Sequence, residues 1–112
     1  MIKEDYVSFE TAKLLKEKGF NPIECGMYYS ITTGKRTTEL LTSLIACPTL
    51  QMATKWLREV YNIDISVTPD RKVGYSVLIF KDKRLPFDTL DSYSIYEQAC
   101  EAAIKYCLEN LI

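Results

Sequence analysis

Histidine is missing from all 112 residues, and with it the side chain that most often moves protons near neutral pH. General base chemistry would fall to a carboxylate, lysine or tyrosine with a displaced pKa, and the sequence singles out no such group. Glycine is scarce: the four residues, at 19, 26, 34 and 74, are too scattered for a phosphate-cradling loop. The four cysteines, at 25, 47, 100 and 107, contain no CxxC pair, so a zinc site would need all four to converge from unrelated elements. Cys100 and Cys107 lie two turns apart on one helix face, where small buried apolar residues are expected. A cysteine nucleophile would need an activating partner, and none is suggested. Asp88 and Asp91 read as turn and solvation residues in a loop. No catalytic residue, metal ligand, cofactor or small-molecule substrate is therefore expected.

Long apolar runs are also missing. Nothing approaches the roughly 18 residues a membrane helix needs, and MIKEDYVSFE has neither the positive start nor the apolar core of a secretory leader. These features predict a cytoplasmic protein. A net charge of −1 offers no overall attraction to nucleic acid, so any such contact needs a local patch. The apolar share of 47% is ordinary for a globular chain, and the length suits a single domain over residues 1–112.

Three amphipathic helices can be read directly. Ser8 is a good N-cap, with Val7 placed to staple onto Ala12 and Phe9, Ala12 and Leu15 at helical spacing. Gly19 suits the left-handed position after that helix, with Phe20 folding back and Asn21-Pro22 blocking continuation. Thr49 caps a second helix whose stripe is Leu50, Ala53, Trp56, Leu57 and Val60, and Asn62 ends it. The third opens on Ser94-Ile95-Tyr96-Glu97, which reads as a capping box. Its buried face is Tyr96, Ala99, Cys100, Ala103, Cys107 and Leu111, and Glu101 is placed to pair with Lys105.

Strands fill the gaps. Met27 to Thr32 is aromatic and β-branched, with a turn at Thr33-Gly34-Lys35. Leu40, Leu41, Leu44 and Ile45 fit a short helix, while Thr42 to Cys47 fits a return strand, which is preferred. Ile63, Ile65 and Val67 alternate with Asp64, Ser66 and Thr68, as in a strand with one wet face. Thr68-Pro69-Asp70-Arg71 signals a type I turn, and Val73 to Phe80 returns with Val73, Tyr75, Val77 and Ile79 on one face. Arg84 to Phe87 reads as a short edge strand limited by Pro86. The sum is an α+β fold, an antiparallel sheet with helices packed on one face. Residues 1–47 supply a helix plus a strand pair, and 48–112 an αβββα-like core.

The stretches VSFETAKLLKEKGF, ACPTLQMATKWLREV and YEQACEAAIKYCLENLI resemble small uncharacterised proteins encoded in phage and mobile elements of anaerobic bacteria, which implies an accessory role. From Thr49 onward the order helix, strand, strand, short strand, helix is similar to the double-stranded RNA-binding domain. The loop PDRK, the hairpin VGYSVLIFKDKR and the helix QACEAAIKYCLENL carry that likeness. It implies minor-groove and phosphate contacts from the hairpin loop and the start of the last helix. Two departures stand against it: Arg71 occupies the usual histidine position, and the usual basic cluster falls on Ile95, Tyr96 and Glu97.

Two binding expectations remain. The favoured one is a protein partner or a second copy of the chain, met through Tyr75, Leu78 and Phe80, because Leu78 and Phe80 point away from the main strand stripe. The alternative is duplex RNA, met through Lys55, Arg58, Arg71 and Lys72, with Lys81, Lys83 and Arg84 extending the footprint only if they share a face. The eight tyrosines suit interfaces, whereas Trp56 on the helix stripe reads as core.

Overall fold

The computed structural model describes residues 5–20, 27–30, 35–37, 44–72, 74–84 and 88–112. Among the described residues three helices, α1 (Phe9–Glu17), α2 (Leu50–Tyr61) and α3 (Tyr96–Asn110), combine with six strands. A small antiparallel sheet of β1 (Tyr28–Ser30), β2 (Arg36–Thr37) and β3 (Leu44–Ala46) has the order β2-β1-β3. A larger one of β4 (Ile63–Asp70), β5 (Gly74–Lys81) and β6 (Asp88–Tyr93) has the order β4-β5-β6. The fold is α+β, with α2 and α3 against the larger sheet. Residues 50–110 run helix, three antiparallel strands, helix.

The first helix forms as its ends dictate. Ser8 Oγ accepts from Thr11 N at 3.3 Å. At the other end Gly19 takes φ +97°, with Gly19 N donating to Lys16 O at 3.1 Å and Phe20 N to Leu15 O at 2.9 Å. That pair of bonds is a Schellman ending. Thr49 Oγ1 likewise accepts from Met52 N at 3.1 Å, and Asn62 ends α2 in the left-handed region at φ 55°.

One hydrophobic cluster joins every layer. Val7, Ala12 and Leu15 meet Leu57, Ile63, Val77 and Ile79 through Ala99, Ala103, Ile104, Cys107 and Leu108. Full burial of each large aliphatic side chain is worth about 1.5–3 kcal/mol relative to exposure. Because α3 packs on α1, α2 and the larger sheet at once, its apolar stripe widens to take in Ile104 and Leu108. Small residues at 99, 100, 103 and 107 let these neighbours approach closely.

Several local expectations shift. The reversal between β4 and β5 falls after paired Asp70 and before its partner Gly74, not at Pro69, which remains in the sheet-edge strand β4. Gly74 at φ +104° makes this possible, and a Cβ there would stand 2.5 Å from Tyr93 O. The third strand is β6, so Asp88 and Asp91 belong to a strand rather than a loop. The expected edge strand over Arg84 to Phe87 falls largely outside the described residues. The capping box does not form either: the N-cap of α3 is Ile95, without a side-chain cap bond. Val60 stands 57% exposed on α2, outside the stripe. A strand at Leu44–Ala46 decides that segment in favour of the return strand.

Glu101 does not pair with Lys105. Its Oε1 instead accepts from Ser8 N at 2.8 Å and Thr11 Oγ1 at 2.6 Å, so a side chain of α3 caps the start of α1. Lys105 reaches Glu10 at 3.0 Å alongside. That bond holds the Glu10 carboxyl below its ordinary value and the Lys105 ammonium above its own.

Candidate functional site

The first turns of α2 and α3 enclose an open groove of about 660 Å³. Its walls include Tyr6, Gln51, Met52, Lys55, Arg58 and Tyr96. Three separate pieces of backbone place them. Residues 5–7 run along the start of α2: Tyr6 bridges Thr49, Val7 N donates to Pro48 O at 3.0 Å, and Leu50 N donates to Asp5 O at 2.9 Å. The last of these bonds occupies one otherwise unpartnered N–H of the α2 terminus. Tyr6 is then held from behind by Arg36, whose guanidinium lies 4.8 Å from the ring centroid.

Positions 51, 52, 55 and 58 follow helical spacing, so α2 turns Met52, Lys55 and Arg58 toward the groove while Ala53 and Leu57 enter the core. Lys55 lies 4.0 Å from Glu59 one turn on, with both side chains well exposed. The far wall is Tyr96, set edge-on against Tyr75 at 5.6 Å between centroids. Met52, at 40% exposure, and Tyr96, at 47%, are two of the exposed large apolar side chains, and Ile95, at 48%, precedes Tyr96. Among the described residues lining the groove, none is acidic.

The next hollow has the opposite character. Asp5, Glu97 and Glu101 border it, with Arg36 and Tyr29. Glu101 Oε2 is buried there with no hydrogen-bond partner among the described residues. Tyr29 donates to Val7 O at 2.7 Å, and burial pushes its hydroxyl up to about 12.

The sequence candidates are divided by this architecture. Lys55 and Arg58 come together in the groove. Arg71 and Lys72 sit exposed on the β4–β5 turn, whose closing Gly74 abuts Tyr93 and Ser94 just before α3. Leu78 and Phe80 are half-buried on the outer face of the larger sheet, opposite Ser66 and Asp64 on β4. Tyr75 lies on the other face, packed on the core and on Tyr96, so Tyr75, Leu78 and Phe80 do not form one surface. Sequence reasoning missed Tyr6 and Met52. The Tyr6–Thr49 bridge, a non-local pairing, brings Tyr6 to the groove, whereas Met52 at the exposed side of a strongly amphipathic helix was a usable signal.

Burial raises the Cys100 thiol to about 11 and the Cys107 thiol to about 12, which disfavours the reactive thiolate form at these two positions. Among the described residues no group of three or more His, Cys, Asp or Glu could hold a metal ion, and no helix is long and apolar enough to cross a membrane. Compared with known protein families, curated proteins and solved structures, the chain matches none.

Proposed function

We propose that this protein is a non-catalytic interaction module whose ligand is another protein. One observation carries the reading: exposed Met52 and Tyr96 share a groove with Lys55 and Arg58, an apolar surface rimmed by charge. Protein-binding surfaces combine aromatic and methionine side chains with arginine in this way. The outer sheet face, where half-buried Leu78 and Phe80 lie beside Ser66 and Asp64, is a second surface that a further copy of the chain could meet. A photo-reactive amino acid placed at Tyr96 in the producing cell should give a discrete protein adduct. The same probe at Val60, more exposed but away from the groove, should not. Adducts from neither position, or equally from both, would sink the reading.

Duplex RNA binding is the second reading. It is favoured by the helix–three strands–helix order, which sets Lys55 and Arg58 in one groove and the Arg71–Lys72 turn beside the start of α3. Phosphate contacts would weaken steeply with salt, by about 0.7–0.9 log units per log salt for each contact. Titration of duplex RNA at two salt concentrations, with wild type and an Arg71→Glu/Lys72→Glu variant, tests it. Binding that is absent at low salt, or unchanged by the charge reversal, removes it.

A further inference from the structure

We infer that the groove between α2 and α3 takes an acidic peptide segment that carries an apolar anchor side chain. This deepens the protein-binding reading and rests on it. The charge arrangement supplies the argument. Lys55, with Glu59 4.0 Å behind it, and Arg58 stand on one wall, Met52, Tyr6 and Tyr96 offer apolar faces, and no described residue lining the groove itself is acidic. A carboxylate against the two cations and an apolar side chain between the rings would satisfy both characters at once. Tyr6 and Tyr96 are held in place before any ligand arrives, by Arg36 and Tyr75 respectively, so little side-chain freedom is lost on binding.

The neighbouring hollow chooses between peptide and nucleic acid. Beyond Tyr6 the next hollow sets three acids, Asp5, Glu97 and Glu101, against one cation, Arg36. A uniform polyanion crossing both hollows would be attracted by the first and repelled by the second. A peptide can place its acids over Lys55 and Arg58 and end, or change sign, before Glu97. The segment is therefore acidic locally rather than throughout.

The probe is a short peptide of consecutive glutamates followed by phenylalanine in a glycine–serine background, titrated into the isotope-labelled full chain by NMR. Saturable shifts are expected at the amides of Gln51, Met52, Lys55, Arg58 and Tyr96. Affinity should fall about tenfold in Lys55→Glu/Arg58→Glu, two exposed positions, and vanish for the peptide with lysine in place of glutamate. Met52→Ala, which removes part of the apolar wall without touching charge, should also weaken binding. The inference is overturned by shifts that avoid the groove, by equal affinity for the charge-reversed variant, or by duplex RNA displacing the peptide from the same amides. If Tyr96 captures a protein in the cell while the peptide fails to bind, the partner chemistry falls and the protein-binding reading stands.

Discussion

Glu101 shows how one side chain can set the position of a whole helix. Its Oε1 receives two donors from the start of α1 at 2.6 and 2.8 Å, a charge-assisted pair that no spacing rule along α3 would reveal. Read along the helix, Glu101 and Lys105 are an i,i+4 pair; in the fold each leaves the other for α1, because α1 lies across that face. Truncation by Glu101→Ala should cost about 2 kcal/mol, since hydrogen bonds to a charged group are worth about 1.5–3 kcal/mol. Glu101→Gln keeps a carbonyl oxygen in the same place and should lose less than half as much. Denaturant unfolding of both variants checks this, and equal losses would mean that packing, not the acceptor, matters at this position.

At the scale of elements, the ends that carry local chemistry were legible and the ends fixed from a distance were not. Ser8, Gly19, Thr49 and Asn62 each hold the boundary their residue type suggests, because the bonds involved span only a few residues. Ser94 and Glu97 carry an equally good local signal, yet α3 starts one residue later, where the chain leaves β6 after pairing Tyr93 with Tyr75. Pro69 gave the same false lead, since the close approach of Gly74 to Tyr93 O draws the reversal downstream. Tyr6 reached the groove through a pairing forty-odd residues away in sequence, which periodicity cannot express. Gly74→Ala tests the hairpin account. A side chain at φ +104° costs about 1–2 kcal/mol before its clash with the Tyr93 carbonyl, so at least that much stability should be lost in an equilibrium melt. A neutral result would show that the turn tolerates another geometry.

For the molecule as a whole, a core closed around thiols and a tyrosine has a stated pH response. Cys107 is raised by burial from its ordinary 9.0 to about 12, and Cys100 to about 11. An acid whose folded pKa lies above its unfolded one leaves stability intact below the unfolded value. As pH climbs, the unfolded chain ionises first and gains at the fold's expense. Stability should hold to pH 9.0 and fall from there toward about 12, with a shallower fall in Cys107→Ala. A flat profile across that window would contradict the burial of these groups. The function proposed above rests, at this scale, on the groove of α2 and α3. The claim that the groove is the binding face is read most directly on the unmodified chain, by hydrogen–deuterium exchange in buffer and in extract of the producing cell. Added protection confined to peptides covering residues 49–58 and 94–98 is the predicted result. Protection gained over residues 74–81 with residues 49–58 unchanged, or no change anywhere, would contradict it.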